Sequence, residues 1–532
     1  MKIAELLLQT LEANGVRHIF GNPGTTEIPL VRMCEQREKL RYVVALSEVA
    51  AVPMADGYAR ATRALGVVNL HVAPGLGNGS GALYTAGVAG TPLLVLVGGQ
   101  DRRFLHTQPI LYGPLEDMAR AVTKAVFTLT DAASAQFHIR KAIRAALTPP
   151  TGPVALICPP DLLEEEFDGA PGAVTVPSLS GLSADDARGF AQFLGAATRP
   201  ALIAAEHVHW ADASAELEQL AQLLDAPVYV APYTGILPLA ASAPCYAGYL
   251  APSRASIAQQ LAGHDALLLL GGTGLRTTLF SAEVLPQRKA WLGSDPDLDW
   301  DEDEFELARI ADLKASLAQI AAALQPVRAS KTAFRPPLEL PVSPSASLHP
   351  TRAVDAILKS FSHALLIDES GLSTSDVKAL MQAAAGDYLI NGSGGIGWGL
   401  AASVGAAIGQ SSRQVVALIG DGSALYASEA MWTAAHCGTR ILLVIFSNRR
   451  YATLNEAAAR ITGHELDLFT IEPPVLDFSG LAKLHGWEYA STATEPELRA
   501  FLAANGNGVA ANTVLDLKLD QTLKPVTAAR HF

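Results

Sequence analysis

Two polar side chains, Asp421 and Asn448, each lie just beyond an apolar run of the sequence. The run VVALIG (415–420) leads into Asp421, and ILLVIF (441–446) leads through Ser447 into Asn448. Short apolar runs joined by an alanine-rich helix predict a parallel βαβ unit. Because parallel strands end at the same edge of a sheet, where open α/β folds bind ligands, we expect both side chains to face one crevice.

One carboxylate and one amide oxygen in such a crevice suit a hard cation, Mg²⁺ or Ca²⁺, rather than zinc or copper. Such a cation completes its shell with phosphate oxygens, backbone carbonyls and water. Gly420 and Gly422 flank Asp421 and let the backbone turn sharply against a ligand. The pattern therefore predicts a phosphorylated cofactor anchored through a divalent ion. The alternative is that Asp421 and Asn448 only cap the helices that follow them.

Nucleotide cofactors are the first candidates for this crevice. ATP is disfavoured because the sequence contains no GxxxxGK[ST] loop. GSGGIG (392–397) matches the GxGxxG pattern of dinucleotide-binding enzymes, and Asp421 follows at about the spacing of a ribose ligand. A nicotinamide-dependent dehydrogenase therefore stays open as an alternative.

A larger set of motifs indicates thiamine diphosphate. GDGS at 420–423, followed by a strand that ends in Asn448, resembles the thiamine diphosphate motif, with Ser447 in place of its first asparagine. Other segments similar to this family follow in the family's order: FGNPGTTEIP (20–29), ALSEVAAVPMADGYAR (45–60), NLHVAPGLGN (69–78), GPVALICPPDL (152–162) and NGSGGIGWGLAASVGAAIG (391–409). The chain resembles the thiamine diphosphate-dependent decarboxylase and carboligase family over essentially its full length. Within that family it is most similar to the benzoylformate decarboxylases, through FGNPG, NLH and SALYASEAMWTAA.

The elements that must position these motifs form an α/β pattern. Short apolar strands alternate with alanine-rich helices, which predicts three domains, each an open, mostly parallel sheet flanked by helices. Two segments rich in Pro, Ser and Gly, 168–183 and 329–350, read as linkers. They bound domains at 1–167, 184–328 and 351–532. The resemblance implies that these are a pyrimidine-binding domain, a central domain and a diphosphate- and Mg-binding domain, with the thiamine diphosphate-binding fold in the first and third.

An internal similarity supports a shared fold for the outer domains. Residues 67–99 and 415–448 both run through a strand, a Gly-containing turn, a helix opening with Ala-Leu-Tyr, Gly-Thr and a second strand. We therefore expect the first and third domains to be built alike.

The resemblance implies a role for each candidate site residue. Asp421, Asn448 and the backbone carbonyl of Arg450 would hold Mg²⁺ (or Ca²⁺). The cofactor-binding residues would be Gly394, Ile396, Gly420, Gly422, Ser423 and Tyr451. Among these, Ile396 would wedge the cofactor into a bent shape, and the Gly394 carbonyl would accept a hydrogen bond from the amino group of the cofactor. Ser423 and Tyr451 would lie near the diphosphate.

Three further residues are implied in catalysis. Glu48 lies in the nearly uncharged segment ALSEVAAVPMA, which indicates partial burial, and burial raises the pKa of a carboxyl group. In the family this glutamate protonates the aminopyrimidine ring. His71 would be a general acid/base, and Thr25 replaces the serine that relatives carry after FGNPG. Without the resemblance, a lone strand-end histidine would be structural.

Departures from the family leave the reaction's outcome open. A second histidine expected in GGTGLRTTLF is Thr278, which cannot shuttle a proton near neutral pH. Asn455 and Ala457 stand where an aromatic lining would suit a phenyl ring, which predicts a more polar pocket. We expect non-oxidative decarboxylation of a 2-oxo acid to an aldehyde, with an acetolactate synthase-like carboligase as the alternative. Retained Glu48 and Asp421 argue against a catalytically silent paralogue.

Composition limits the remaining classes of function. The chain has 532 residues, 49% of them hydrophobic, and a net charge of −13, which suits a large enzyme and disfavours nucleic acid as a partner. Four scattered cysteines without a CxxC pair disfavour disulfides and zinc and fit a cytoplasmic protein. No apolar run approaches the ~20 residues of a membrane helix, so no membrane partner is expected. The resemblance also implies a homodimer or homotetramer with the active site between subunits.

Overall fold

The computed structural model describes residues 1–272, 274–277, 285, 287–296, 305–324, 334–335, 337–342 and 347–527. These residues form three domains, each built on a six-stranded sheet whose paired strands are all parallel, with helices on its faces. Many of the strands are buried along their whole length, as in ALLLL at Ala266–Leu270, which is typical of parallel sheets covered on both sides. The predicted fold class is confirmed.

The first domain has the strand order β2-β1-β3-β4-β6-β5. Its strands are β1 (His18–Gly21), β2 (Arg41–Val44), β3 (Gly66–Leu70), β4 (Leu93–Gly98), β5 (Ala125–Thr128) and β6 (Pro153–Cys158). Its helices are α1 (Ile3–Ala13), α2 (Ile28–Cys34), α3 (Glu48–Thr62), α4 (Val72–Val88), α5 (Leu115–Arg120), α6 (Ala132–Leu147) and α7 (Pro160–Leu163).

The central domain has a different order, β12-β11-β10-β7-β8-β9. Its strands are β7 (Pro200–Ala204), β8 (Val228–Val230), β9 (Tyr246–Tyr249), β10 (Ala266–Leu270), β11 (Arg288–Gly293) and β12 (Leu307–Ile310). Its helices are α8 (Ala184–Gly195), α9 (Glu206–Trp210), α10 (Ser214–Leu224), α11 (Arg254–Leu261) and α12 (Leu313–Ala323).

The third domain has the order β14-β13-β15-β16-β18-β17. Its strands are β13 (Leu365–Glu369), β14 (Tyr388–Ile390), β15 (Val415–Gly420), β16 (Ile441–Ser447), β17 (Glu488–Thr492) and β18 (Thr513–Lys518). Its helices are α13 (Pro350–Ser360), α14 (Thr374–Leu380), α15 (Gly399–Gly409), α16 (Ala430–His436), α17 (Ala452–Thr462), α18 (Phe478–Leu484) and α19 (Glu495–Asn505).

The first and third domains share one topology. Numbered within each domain, both sheets run 2-1-3-4-6-5, whereas the central sheet runs 6-5-4-1-2-3. The expected common fold is therefore found. The two similar segments, 67–99 and 415–448, differ in one detail. Ala-Leu-Tyr opens the second half of a long helix, α4, in the first domain, but in the third it lies at a short 3₁₀ turn (Ser423–Leu425) that precedes α16.

Two helices join the first domain to the third. α3 and α15 pack so closely that a Cβ added at Gly57 would lie 2.1 Å from the carbonyl oxygen of Ala402. A Cβ added at Gly405 would lie 1.8 Å from the carbonyl oxygen of Met54. The glycines let the helix backbones meet, and the helix that begins at Glu48 is thereby fixed against the domain that carries Asp421.

The segment 168–183 contains neither helix nor strand, and the predicted linker 329–350 lies partly outside the described residues. Among the residues described, none of the helices is long and apolar enough to cross a membrane.

Candidate functional site

The ends of β15 and β16 meet at one edge of the third sheet. The two strands are parallel neighbours, with Gly420 paired to Phe446. The backbone N–H of Arg449 donates to Oδ2 of Asp421 at 2.6 Å, and the N–H of Gly422 donates to its Oδ1 at 2.8 Å. The N–H of Arg450 donates to Oδ1 of Asn448 at 3.1 Å. The structure therefore brings the two predicted metal-binding side chains to adjoining turns.

The donor set at this edge fits a divalent cation that also binds a phosphorylated ligand. Asp421 is only 4% exposed, and desolvation raises the pKa of its carboxyl group to about 6. A bound cation would offset that desolvation. Within the described part of the chain, no three His, Cys, Asp or Glu side chains cluster as a metal site. Asp421, Asn448 and the Arg450 carbonyl, which also accepts the Ala452 N–H at 2.9 Å, would thus need further oxygens from a ligand or water.

The turn after Asp421 is shaped by its neighbours. A Cβ added at Gly422 would lie 2.6 Å from Cε1 of Tyr451, so the backbone of the turn lies directly against the tyrosine ring. Ser423 follows and its side chain hydrogen-bonds to Glu369. Both predicted diphosphate neighbours, Ser423 and Tyr451, therefore flank the same turn.

A cavity of about 640 Å³ adjoins this edge of the sheet. Asp421 and Ser447 line it, together with Arg449 and Thr522 from the loops after β16 and β18 and Lys518 at the end of β18. Both cationic side chains are already paired, Arg449 with Glu472 and Lys518 with Asp516, and Glu472 and Asp520 also line the cavity, so the charge of this lining does not select an anion.

Glu369 is a site residue that sequence reasoning missed. It ends β13, the strand beside β15, and it is 8% exposed. Its carboxyl group accepts the N–H of Gly397 at 2.5 Å and that of Gly399, and it also bonds to Ser423. Desolvation raises its pKa to about 7. An acid at the end of the apolar strand LLIDE was a visible signal, but the sequence does not reveal that this strand lies beside β15.

The glycine-rich loop 391–398 carries the two residues predicted to shape the cofactor. It connects β14 to α15. Gly394 has φ of +80° and Gly397 of +100°, conformations that side chains with a Cβ rarely adopt. Ile396 is 42% exposed although it is a large aliphatic residue. A side chain that wedges against a ligand must be exposed on the protein surface, as Ile396 is.

Glu48 begins α3 in the first domain and is 6% exposed. Ser47 caps the helix by accepting the N–H of Ala50. The amide of Asn78 donates to Oε2 of Glu48 at 3.2 Å, and Gly75 leaves space for its Oε1. The expected burial of this acid is found.

His71 lies at the junction of β3 and α4 and is held by a second missed acid. Its Nδ1 is 2.8 Å from Oε2 of Glu27 and 3.3 Å from Oγ1 of Thr26. Glu27 is 2% exposed and also accepts the N–H of Gly24, the capping pattern of Gly24-x-x-Glu27. The residue after His71, Val72, has φ of +40°, which is strained for a β-branched side chain. Strain of this kind concentrates at functional sites.

The remaining predictions are placed less centrally. Thr25 is exposed, and its neighbour Thr26 makes the contact with His71. Thr278 lies outside the described residues. Asn455 is 4% exposed and its Oδ1 accepts the N–H of Leu466 at 3.2 Å, so its side chain supports the following turn. Whether Asn455 also makes the pocket more polar stays a prediction.

Three segments of the chain match the thiamine pyrophosphate enzyme family. Residues 1–121 match the N-terminal TPP binding domain, 188–320 the central domain and 369–510 the C-terminal TPP binding domain. Asp421, Asn448 and the glycine-rich loop lie within the last of these, and Glu48 and His71 within the first.

Individual relatives match over nearly the whole chain. A benzoylformate decarboxylase from Pseudomonas aeruginosa is 31% identical over 93% of this chain and 94% of its own length. A Mycobacterium tuberculosis protein named for an acetolactate synthase large subunit is 29% identical over 91% of this chain and 92% of its own. The solved structure of a thiamine diphosphate-dependent 4-hydroxybenzoylformate decarboxylase from Rhodococcus jostii RHA1 superposes with a TM-score of 0.89 at 29% identity, covering 98% of this chain and all of that one.

Proposed function

The chain belongs to the thiamine pyrophosphate enzyme family, and from that membership we propose that it decarboxylates a 2-oxo acid to an aldehyde with thiamine diphosphate and Mg²⁺. The observation that carries the proposal is the meeting of Asp421 and Asn448 at adjoining strand ends, beside the buried turn that holds Ser423. GSGGIG lies within the C-terminal TPP binding domain, so its glycines are assigned to this cofactor rather than to a nicotinamide.

The residues of the third domain bind and orient. Asp421, Asn448 and the Arg450 carbonyl would hold the cation, and Ser423 and Tyr451 would adjoin the diphosphate. Ile396 and the Gly394 carbonyl would fix the bend between the two rings. The bound cofactor supplies an electron sink for the carbanion that loss of CO₂ leaves behind.

The residues of the first domain handle protons. Glu48, buried and bonded to Asn78, would hold a proton at the ring nitrogen of the aminopyrimidine. His71 would donate or accept a proton at the substrate, because its Nδ1 faces Glu27 and its other nitrogen is thereby left for the reaction. Thr25, exposed beside this pair, would line the substrate side.

The enzyme would act in the cytoplasm as a homodimer or homotetramer, with Glu48 of one subunit facing the Asp421 turn of another. The exposure of Ile396, Leu425 and Tyr426, at 42%, 43% and 52%, supports a covering chain, since large apolar side chains at a binding site are normally shielded.

A panel of 2-oxo acids tests the proposed function. We expect CO₂ release from at least one arylglyoxylate or aliphatic 2-oxo acid when thiamine diphosphate and Mg²⁺ are both present, with an aldehyde as product. Chelating the metal with EDTA should abolish turnover, and Mg²⁺ should restore it. A ligated 2-hydroxy ketone or acid as the main product would instead establish the carboligase, and absence of CO₂ from every acid would overturn both.

The cation anchor has its own test. Asp421→Ala should abolish metal-dependent binding of thiamine diphosphate in calorimetry. Asp520→Asn is the matched control, because Asp520 lines the same cavity but accepts the N–H of Thr522 instead. Unchanged affinity in Asp421→Ala would remove the proposed anchor.

A further inference from the structure

The loop 391–398 needs an external support. Its sequence, NGSGGIGW, contains four glycines, and it forms neither helix nor strand before α15 begins. A glycine-rich segment of this kind loses about 1–2 kcal/mol of backbone entropy per residue when it is fixed. If the loop presents Gly394 and Ile396 to a cofactor, something must restrict it beforehand.

A buried ion pair in the first domain lies against this loop. Asp56 and Arg60 are one turn apart on α3, and both side chains are 0% exposed. Nε of Arg60 donates to Oδ1 of Asp56 at 2.8 Å, and Nη2 donates to Oδ2 at 2.6 Å. Burying two charges is costly, and a well-packed apolar pair would often be as stable. The pair therefore calls for a role beyond stability.

The pair contacts both ends of the loop. Nη1 of Arg60 donates to the carbonyl oxygen of Ile390 at 3.1 Å, immediately before the loop. At the other end, the Arg60 guanidinium lies 4.6 Å from the ring centroid of Trp398, and the Trp398 Nε1–H donates to Oδ2 of Asp56 at 2.7 Å. One bidentate pair thus fixes the entry and the exit of a loop that belongs to another domain.

A second contact holds the middle of the loop to the same domain. Oγ1 of Thr85, on α4, lies 2.8 Å from Oγ of Ser393. Arg60 reaches this residue too, because its Nη2 donates to the carbonyl oxygen of Thr85 at 3.5 Å. Arg60 also donates to the carbonyl oxygen of Gly235 at 3.4 Å, so the central domain takes part.

We propose that Arg60, paired with Asp56, is a positioning residue that clamps loop 391–398 in the conformation that receives the cofactor. The proposal rests on the proposed function, since it assigns the loop to thiamine diphosphate. α3 begins at Glu48 and carries Asp56 and Arg60 in its third and fourth turns. The clamp therefore also fixes the position of Glu48 relative to loop 391–398 of the same chain. Arg60 does not touch the reacting atoms; it acts through the loop.

The test compares two conservative variants. Arg60→Lys keeps a charge for Asp56 but loses the planar fork that reaches Ile390 and lies over Trp398. Arg352→Lys is the matched control, because Arg352 forms a similar bidentate pair with Glu495, at 2.6 and 2.7 Å, without contacting the loop. Amide hydrogen exchange of peptide 391–398 without cofactor, and the Kd for thiamine diphosphate with Mg²⁺, are measured in both.

We expect Arg60→Lys to speed exchange of the loop and to weaken thiamine diphosphate binding by about 10-fold or more, while excess cofactor restores most of the kcat. Arg352→Lys should leave both quantities at the wild-type level. Wild-type exchange and affinity in Arg60→Lys would overturn the clamp and leave the ion pair a purely structural contact.

A folding failure does not block the test. If Arg60→Lys is insoluble, Trp398→Phe removes the Nε1 donor to Asp56 and keeps a smaller aromatic ring beside the guanidinium. The same two measurements, loop exchange and cofactor affinity, are then made on that variant and judged in the same way. The two proposals also fail differently. A wild-type protein that binds no thiamine diphosphate overturns the proposed function, whereas wild-type binding with an unaltered loop in the variants overturns the clamp alone.

Discussion

Three buried acids of the candidate site, Glu48, Glu369 and Asp421, accept hydrogen bonds from N–H and O–H groups instead of forming ion pairs with lysine or arginine in the described part of the chain. Glu48 accepts an amide N–H from Asn78, Glu369 accepts backbone N–H groups and the Ser423 hydroxyl, and Asp421 accepts two backbone N–H groups. Each therefore retains the capacity to take up a proton or a cation from a ligand.

The clearest prediction at this scale concerns Glu48. Glu48→Gln keeps the size and the contact with Asn78 but cannot exchange a proton with the aminopyrimidine nitrogen. We expect kcat to fall by about 10²–10⁴-fold, the range of a lost acid–base group, while the Kd for thiamine diphosphate changes little. Near-normal turnover would refute the proton role, and lost binding would assign Glu48 to cofactor affinity instead.

Glu369 should make stability depend on pH. Its folded pKa of about 7 is raised above the ordinary 4.5 by burial, so the folded protein holds this proton more tightly than the unfolded chain does. Below about pH 4.5 both states are protonated and no penalty exists. As pH rises to about 7 the wild type loses stability, by up to about 3 kcal/mol, relative to Glu369→Gln.

Urea unfolding of the two proteins without cofactor, at several pH values, measures this difference. The expected signature is a gap in unfolding free energy that widens from about pH 4.5 to 7 and is then constant. Since it is the slope with pH that matters, any fixed cost of the amide drops out. A gap that is independent of pH would show that folding does not raise the pKa of the Glu369 carboxyl.

At the scale of elements, the sequence predicted what depends on periodicity. The strands that end at Asp421 and Asn448, their parallel arrangement and the likeness of 67–99 to 415–448 follow from local apolar patterns, and the structure contains them. Strand order does not follow from periodicity. Glu369 and Glu27 were missed because they reach the site only through strand pairing, of β13 with β15 and of β1 with β3.

The burial of Asn455 was missed for a related reason. A helical sequence such as ATLNEAAARIT does not show which polar side chain will hydrogen-bond to the backbone of the following turn. In the structure, Asn455 accepts a hydrogen bond from the N–H of Leu466. The Asp56–Arg60 pair is a further case: its spacing of four residues reads as an ordinary surface pair on a helix. Only the packing of α3 on α15 buries it.

The packing of α3 on α15 is itself testable. Gly405→Ala places a Cβ 1.8 Å from the Met54 carbonyl oxygen, so the helices must separate. We expect a loss of about 1–3 kcal/mol or more, seen as a lower Tm. Gly189→Ala is the matched control within α8, where the nearest atoms are 3.9 Å from the added Cβ. There the better helix propensity of alanine should raise stability slightly, by up to about 1 kcal/mol.

Equal effects of the two substitutions on Tm would contradict the close contact. A destabilised Gly405→Ala that still binds thiamine diphosphate normally would show that the contact holds the domains together without shaping the cofactor loop.

At the scale of the whole molecule, the question is how the proton-handling residues reach the cofactor-binding residues. α3 packs its middle, around Gly57, against α15 of the same chain, and Ser47, next to Glu48, hydrogen-bonds to Glu429 of the third domain. Ile396 and Tyr426 stay 42% and 52% exposed in the single chain. The proposed arrangement, in which Glu48 serves the Asp421 turn of another subunit, accounts for the exposure of these two side chains.

Mixed dimers test that arrangement directly. Co-expression of a Glu48→Gln chain and an Asp421→Ala chain, each with its own affinity tag, allows the mixed dimer to be isolated. If each site draws Glu48 from one subunit and Asp421 from the other, one of the two sites in this dimer is intact. We therefore expect about half of the wild-type kcat per dimer, although each parent dimer is inactive.

The matched control carries both substitutions on one chain and pairs it with a wild-type chain. A site shared between subunits then finds one damaged residue at either position, so this dimer should be inactive. A site contained within one chain predicts the reverse, an inactive first dimer and a half-active control. Because the two pairings contain the same four side chains and differ only in their distribution, the comparison separates subunit geometry from any general loss of stability.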